Sequence, residues 1–145
     1  MPRHAATRSA RGFTLIEVMI TVAIVAILSA IAMPAYTAYV QRSRIPPGLE
    51  ALSSLATRME QRYQDTGSYA NGEACGATLP TATNFTITCV LSDEGQGFTA
   101  TATGTGAVEG YAYTINHRGV RRTTAHPKGA PDADCWSLRG GVCDS

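Results

Sequence analysis

The sequence lacks any surplus of charge that would indicate a partner. Only 16% of its 145 residues are charged, and the formal net charge is +1. If a leader containing Arg3, Arg8 and Arg11 is removed, nine basic residues remain against eleven acidic ones. The length leaves room for one compact domain with an appended element, but not for two independent domains. The overall charge therefore favours neither nucleic acid nor any other charged partner.

The sequence also lacks the spacing that catalysis or metal binding needs. No nucleophile, base and orienting group occur together at motif spacing, so we predict that the protein is not an enzyme and needs no cofactor. Four cysteines are present: Cys75, Cys89, Cys135 and Cys143. They include no C-x2-C pair, which argues against a zinc site completed by His117 or His126. We predict no metal site, and we expect both histidines on surface loops.

The even number of cysteines instead predicts disulfides, for which three pairings exist. We prefer nearest-neighbour pairing, Cys75 with Cys89 and Cys135 with Cys143, because each pair encloses a short loop that closes without crossing a sheet. The other two pairings stay open at this stage. Two disulfides indicate an oxidising compartment such as the periplasm or the cell surface.

Charge is distributed unevenly along the second half of the chain. Residues 63–116 contain no Lys or Arg, but they contain five acidic residues: Asp65, Glu73, Asp93, Glu94 and Glu109. Residues 117–143 reverse this balance with five basic residues: Arg118, Arg121, Arg122, Lys128 and Arg139. The basic side chains could neutralise several DNA phosphates, or they could pair with the acidic stretch of the same or a neighbouring head.

A long apolar stretch, Phe13 to Ala35, lies near the amino end. As a helix it is about 34 Å long, enough to cross the hydrocarbon core of a bilayer. Basic residues precede it and the next ones follow only at Arg42 and Arg44, so the amino end should remain cytoplasmic. A signal-peptidase site within residues 29–35 is the alternative, but the apolar run is full length for a retained helix.

Glu17 separates this stretch from an ordinary membrane anchor. An acidic residue at the centre of a membrane helix costs about 2.5–3.5 kcal/mol, and less near an interface, so such residues usually have a partner and a purpose. Without further context, a carboxylate at headgroup depth explains Glu17 equally well.

The surrounding residues Arg11-Gly12-Phe13-Thr14-Leu15-Ile16-Glu17 resemble the class III signal of type IV pilins. The resemblance implies that a prepilin peptidase cuts after Gly12 and that Phe13 becomes the N-methylated terminus. It also implies that Glu17 is the assembly residue, paired with the Phe13 ammonium of a neighbouring subunit, since an unpaired carboxylate in an apolar core is costly. We therefore divide the chain into a leader (1–12), a transmembrane and filament-core helix half (13–48) and a periplasmic head (49–145).

Three prolines are expected to disturb the long helix. Pro34 removes one backbone donor, which predicts a kink or a locally unwound segment around residues 29–34. Pro46 and Pro47, followed by Gly48, predict a stronger interruption between the membrane half and the head half. The doubled proline departs from the usual pilin pattern.

The sequence of the head predicts a helix followed by strands. Apolar residues from Leu49 to Tyr63 follow three- and four-residue spacing, which predicts a helix with one core-facing stripe that ends near Gly67. A two-heptad coiled-coil seam is the alternative. Four strand-like runs follow, at 84–91, 98–103, 111–116 and 119–124, and their short connections favour an antiparallel meander. The predicted fold is α+β, a long N-terminal helix packed on a four-stranded antiparallel sheet.

The stretch from Tyr111 to Trp136 resembles minor pilins of the PilE type, including relatives that capture DNA during uptake. The resemblance implies a minor subunit of type IV pili that supports assembly, twitching motility, adhesion or DNA uptake. A pseudopilin of a type II secretion system is the alternative. Implied partners are other pilins, the prepilin peptidase, the inner-membrane assembly machinery and the membrane itself. The precursor would lie in the inner membrane and the assembled subunit in the extracellular pilus.

The basic segment near the carboxyl end predicts a DNA-binding surface formed by Arg118, Arg121, Arg122 and Lys128. A solvated or subunit-facing surface is the alternative. Trp136 lies between Cys135 and Cys143, and we expect it to pack the C-terminal loop onto the sheet.

Overall fold

A computed structural model describes residues 12–144. The described residues form two compact units, one that ends at Ala38 and one that begins at Tyr39. The predicted leader lies outside the described residues except for Gly12. The head unit begins before the predicted boundary at residue 49, and Ile45 shows why: it is fully buried in the hydrophobic core of the head.

The first helix, α1, spans Leu15–Ser43, and none of its residues is buried. Thr14 caps its amino end, because the Thr14 Oγ1 accepts a hydrogen bond from the backbone N–H of Glu17 over 3.3 Å. Thr14 and Glu17 thus have the spacing of a capping box. The helix is long and apolar enough to cross a membrane.

The backbone of α1 stays helical through Pro34. Local unwinding around residues 29–34, one of the two disturbances predicted for Pro34, is therefore wrong, whereas the kink stays a prediction. One proline removes a single backbone hydrogen bond, and the adjacent turns can remain helical without it. The Thr37 hydroxyl donates to the Pro34 carbonyl over 3.0 Å, one helical turn further along.

The interruption predicted at Pro46 and Pro47 is found at residues 44–45, immediately before the two prolines. Helix α1 ends at Ser43, and the second helix, α2, spans Pro46–Thr66. The two prolines therefore begin α2 instead of breaking a helix, since the first turn needs no backbone N–H donors. The helix ends at Gly67, which has φ 74° and donates its N–H to the Tyr63 carbonyl over 2.7 Å.

The strands are β1 Ala70–Asn71, β2 Ala74–Cys75, β3 Phe85–Ser92, β4 Gly97–Gly104, β5 Ala112–Asn116 and β6 Arg121–Ala125. The main sheet contains four of them, all antiparallel, in the order β3-β4-β5-β6. The predicted α+β fold and the meander are confirmed, and each main strand begins and ends within two residues of its prediction. The small β1–β2 hairpin was not predicted, because two-residue strands leave no alternating pattern in the sequence.

The core lies between α2 and one face of the sheet. Leu52, Leu55 and Met59 of α2 are fully buried, as are Phe98 and Tyr113 of the sheet. This burial identifies the apolar stripe of α2 as a sheet-packing surface and excludes the coiled-coil alternative.

Helix α2 approaches β3 closely at Gly48. A Cβ atom at this position would lie 2.6 Å from the Phe85 ring. Glycine is therefore required there by the packing and not by its backbone conformation.

Candidate functional site

The turn between β5 and β6 presents Arg118 to solvent. The Asn116 side-chain Oδ1 accepts hydrogen bonds from the backbone N–H groups of Arg118 and Val120, each over 3.0 Å. Gly119 adopts φ 72° and donates to the Asn116 carbonyl over 2.9 Å. These three bonds hold the turn in one conformation, so the exposed Arg118 side chain starts from an ordered backbone.

Arg121 lies on an aromatic ring of the C-terminal loop, the segment 126–144 that follows β6. Its guanidinium carbon is 4.6 Å from the ring centroid of Trp136, a cation–π arrangement. The indole Nε1–H of Trp136 donates to the Thr114 carbonyl of β5 over 2.8 Å. Trp136 therefore packs the loop onto the sheet as predicted, and it also positions Arg121.

Arg122 forms an ion pair with the same loop. Its Nε lies 2.6 Å from Asp134 Oδ1, and both side chains are 58% exposed. The strand register sets Arg121 opposite Ile115 and Arg122 opposite Thr114. Because successive strand residues point to opposite faces, the two arginines leave β6 on different sides of the sheet.

The four basic residues predicted for DNA binding are all exposed. Arg118 precedes β6, Arg121 and Arg122 begin it, and Lys128 follows it. The structure brings Arg121 and Arg122 together with one loop, whereas Arg118 and Lys128 flank the two ends of a strand about 13 Å long. They form a basic border along β6, which we call the β6 border, and not one compact cluster.

The C-terminal loop is attached to the sheet by buried polar contacts. The Tyr113 hydroxyl donates to the Ser137 carbonyl over 2.9 Å. The Thr123 hydroxyl donates to the Cys135 carbonyl over 3.0 Å and accepts from the Ser137 N–H over 2.8 Å. Burial raises the pKa of Tyr113 above its ordinary range. The loop is therefore fixed on the sheet on both sides of Trp136.

His126 contributes to this attachment, so its predicted surface position is wrong. It is only 9% exposed and makes an edge contact with Tyr111, the ring centroids being 4.7 Å apart. Its Nδ1 accepts the backbone N–H of Lys128 over 3.0 Å, and its Nε2 lies 3.4 Å from the Leu138 carbonyl. In the sequence, His126 lies in a polar segment, which predicted exposure. In the structure, the C-terminal loop folds back and covers its ring.

His117 is also less exposed than predicted. The residue is half-buried, and its Nδ1 atom is buried without a hydrogen-bond partner. Its ring approaches Tyr69, with 6.2 Å between the centroids. No group of three or more potential metal-binding side chains occurs within residues 12–144.

Tyr69 connects α2, the β1–β2 hairpin and the sheet. Its ring stacks on Tyr63 with centroids 4.6 Å apart and meets the edge of Phe98 at 4.9 Å. Its hydroxyl donates to Glu60 Oε1 over 2.7 Å. Burial, together with this bond to a carboxylate, raises the pKa of Tyr69 to about 12.

Both disulfides follow the pairing preferred from the sequence. Cys75 of β2 is bonded to Cys89 of β3, and Cys135 is bonded to Cys143 within the C-terminal loop. The first bond attaches the β1–β2 hairpin to the sheet. The second closes the loop that carries Trp136, so it lies beside the β6 border.

The proposed processing residues lie at the amino end of the described chain. Phe13 is 81% exposed, and Glu17 lies in the first turn of α1.

The sequence analysis missed two partners of the basic residues: Asp134, the counter-ion of Arg122, and Trp136, whose ring supports Arg121. No sequence signal identifies them, because each pairing depends on how the loop folds back onto β6.

Family models match both the amino-terminal segment and the head of this chain. A family model described as "Type IV minor pilin ComP, DNA uptake sequence receptor" matches residues 34–138, and a prokaryotic N-terminal methylation motif matches residues 7–33. The chain belongs to the ComP family of type IV minor pilins. The ComP-family match covers all of α2, the sheet and the β6 border. The family consists of structural pilin proteins and not of enzymes, as the sequence predicted.

Curated relatives of this ComP-family pilin are fimbrial proteins. The fimbrial protein EcpC of Eikenella corrodens is 36% identical over 103 residues, which is 69% of this chain and 67% of EcpC. A type IV major fimbrial protein FimA of Dichelobacter nodosus is 39% identical over 87 residues, or 60% of this chain and 48% of FimA. The matched part thus spans two thirds of EcpC and about half of FimA.

Solved structures show the same fold as this ComP-family pilin. A type IV pilin from Shewanella oneidensis aligns with a TM-score of 0.50 at 19% identity, over 67% of this chain and 98% of that one. The non-core minor pilin PilV of Neisseria meningitidis aligns with a TM-score of 0.52 at 21% identity, over 67% of this chain and 99% of PilV.

Proposed function

We propose that this minor pilin is inserted in the inner membrane, polymerises into type IV pili and binds double-stranded DNA through its periplasmic head. One observation carries the DNA proposal. Arg118, Arg121, Arg122 and Lys128 are all exposed along one sheet edge, within the region that matches a family described as DNA uptake sequence receptors. Exposed arginine and lysine side chains are the groups that neutralise phosphates and release counterions from DNA.

The four residues would act differently. Arg118 and Lys128 lie at the two ends of β6, and neither side chain forms an ion pair within residues 12–144 that a phosphate would have to displace. Arg122 would exchange Asp134 for a phosphate, since both side chains of that pair are 58% exposed. Arg121 keeps its place on Trp136, where the ring limits its freedom and leaves the N–H groups of the guanidinium free to donate.

Processing and assembly would follow the pilin pattern. The prepilin peptidase would cut between Gly12 and Phe13, and Phe13 would be N-methylated, as the match to a methylation motif supports. Because the long apolar stretch of α1 contains no buried residue, it would lie in the membrane before assembly and against other pilin subunits afterwards. Glu17 would pair there with the ammonium group of a neighbouring subunit.

Pilus-borne DNA uptake fits these observations better than a secretion pseudopilin. The relatives described above are fimbrial proteins, and the matched family is one of pilus subunits. Assembly, twitching motility and adhesion are further roles that a pilus subunit would support.

DNA binding by the full chain in zwitterionic detergent, measured against salt concentration, tests the proposal. With three phosphate contacts, log K should fall with log salt at a slope of about −2.7, so doubling the salt weakens binding about sixfold. Arg118→Ala and Lys128→Ala should each flatten the slope by about one unit.

Arg58→Ala is the matched control, because Arg58 is an exposed arginine on α2, outside the β6 border. It should leave the slope unchanged. Absence of binding at low salt would refute the DNA proposal, and equal effects of Arg58→Ala and Arg118→Ala would show that the β6 border is not the binding surface.

A further inference from the structure

The head contains a groove whose lining includes none of the β6 border residues. Its volume is about 740 Å³. One wall is formed by the end of α1 and the start of α2, and the other by the last part of the C-terminal loop. The lining residues are Tyr39, Arg42, Ser43, Pro46, Leu138, Arg139, Val142, Cys143 and Asp144.

The groove combines cationic groups with exposed apolar ones. Arg42 and Arg139 line it, and the Arg139 side chain is 75% exposed. Asp144 is the one acidic side chain among the described lining residues, and it lies 4.0 Å from Arg139, too far for a direct hydrogen bond. Tyr39 is 66% exposed and Val142 is 69% exposed.

The position of these residues in the sequence places the groove close to the membrane and therefore close to lipid headgroups. Tyr39 follows the apolar stretch that ends at Ala35 by one helical turn, and the helix containing that stretch is long and apolar enough to cross a membrane. Residues just after a membrane span lie near the lipid headgroups, where tyrosine rings are enriched and long arginine side chains can extend to the interface. Arginine also matches phosphate geometry through paired N–H donors.

We propose that this groove binds the headgroup of an anionic phospholipid while the subunit is held in the membrane before assembly. Arg139 and Arg42 would donate to the phosphate, and Tyr39 and Val142 would enter the interfacial layer beside it. The bound lipid would orient the head on the membrane surface. The inference is independent of DNA binding, because Arg42, Arg139 and the remaining lining residues lie outside the β6 border.

The test uses the full chain in nanodiscs that contain one chain each, which removes contacts between copies. Amide hydrogen exchange of residues 138–144 is compared in phosphatidylcholine alone and in phosphatidylcholine mixed with phosphatidylglycerol. Exchange should be about fivefold slower with the anionic lipid, the effect of one arginine at a charged membrane surface. Arg139→Gln should abolish this difference, whereas Arg58→Gln on α2 should preserve it.

A third sample separates a membrane lipid from a free anion. Millimolar inorganic phosphate added to phosphatidylcholine nanodiscs should leave the exchange of residues 138–144 unchanged. Protection by phosphate alone, equal exchange in both lipid mixtures, or an Arg139→Gln chain that is still protected would each overturn the proposal. None of these outcomes bears on DNA binding, which is measured separately in detergent.

Discussion

Arg122 and Asp134 form an ion pair between β6 and the C-terminal loop, with 2.6 Å between Nε and Oδ1. A phosphate that contacts Arg122 must compete with this carboxylate. Asp134→Asn removes the competitor and a negative charge, so DNA affinity should rise about two- to fivefold, in keeping with the strength of an exposed ion pair. Fluorescence anisotropy with a labelled duplex at low salt measures the change.

Asp132→Asn is the control for Asp134→Asn. It removes the same charge from the same loop but leaves the Arg122–Asp134 pair in place. Equal gains in affinity for the two variants would show that only the net charge of the loop matters.

The Cys135–Cys143 disulfide should support DNA binding as well as stability. Replacing both cysteines by serine should lower the free energy of unfolding by about 2–3 kcal/mol in the chain-entropy model. DNA affinity should fall too, because the loop that holds Trp136 against Arg121 loses its closure. The matched control is the Cys75→Ser, Cys89→Ser pair, which should cost similar stability and leave DNA affinity unchanged. Urea unfolding and anisotropy give the two readouts, and equal affinity losses would contradict a local role.

Glu17→Val should separate processing from assembly. Mass spectrometry should still find a chain that begins at N-methylated Phe13, because the cleavage site lies upstream of the substitution. The amount of subunit in sheared pili should fall strongly, since the carboxylate that pairs with a neighbouring ammonium is gone.

Thr14→Ala distinguishes this role of Glu17 from helix capping. It removes the hydroxyl that accepts the Glu17 N–H, but it keeps the carboxylate. Thr14→Ala should therefore enter pili at nearly normal amounts. A normal amount of Glu17→Val in sheared pili, or a mature chain that begins at Ala35 or later, would contradict the assignment.

Gly48→Ala should destabilise the head although it improves helix propensity. The gain in propensity is about 1 kcal/mol, but the added methyl would lie 2.6 Å from the buried Phe85 ring. Overpacking of this kind costs about 1–3 kcal/mol, so a net loss is expected. Gln61→Ala, at an exposed position of the same helix, should change stability by less than about 0.5 kcal/mol. Thermal unfolding compares the two, and a stabilised Gly48→Ala variant would show that α2 shifts away from β3.

The head should lose stability between about pH 10 and pH 12. The pKa of Tyr69 is about 12 in the folded head, above the value of about 10 for an unperturbed tyrosine. A raised pKa means that Tyr69 keeps its proton to a higher pH in the folded state than in the unfolded state. The contribution of protonated Tyr69 to the free energy of unfolding is therefore complete below pH 10 and disappears as the pH rises through 12. Tyr69→Phe should show a shallower decline in melting temperature over this interval. Tyr39→Phe, at a 66% exposed position, should keep the original decline.

Several elements follow from the local sequence because their causes are local. The period of Leu52, Leu55 and Met59 predicts the buried stripe of α2, and Gly67 ends that helix through its left-handed conformation. Alternating residues and short turns predict the four main strands within two residues of their bounds. The prolines at 46 and 47 show the limit of this reasoning, since they mark a helix boundary without saying on which side of it they lie.

The DNA-binding prediction shows what the sequence leaves open. Clustering of basic residues after a long stretch without them singles out Arg118, Arg121, Arg122 and Lys128. It does not show that a carboxylate pairs with one of them and that an indole ring supports another. Those contacts join residues 12 and 15 positions apart, and they exist only after a disulfide-closed loop has folded back onto the sheet.

The sequence by itself determined the pilin signal, the apolar helix, the α+β head and the basic composition of its last third, because each depends on neighbouring residues or on a repeating pattern. The tertiary structure alone decided the burial of His126, the pairing of Arg122 with Asp134 and the groove at Arg42 and Arg139. Each feature brings together residues at least 12 positions apart in the chain: His126 with Leu138, Arg122 with Asp134, and Arg42 with Arg139. A linear pattern cannot specify them, since the same residues at the same spacing remain solvated unless the chain between them closes in one particular way.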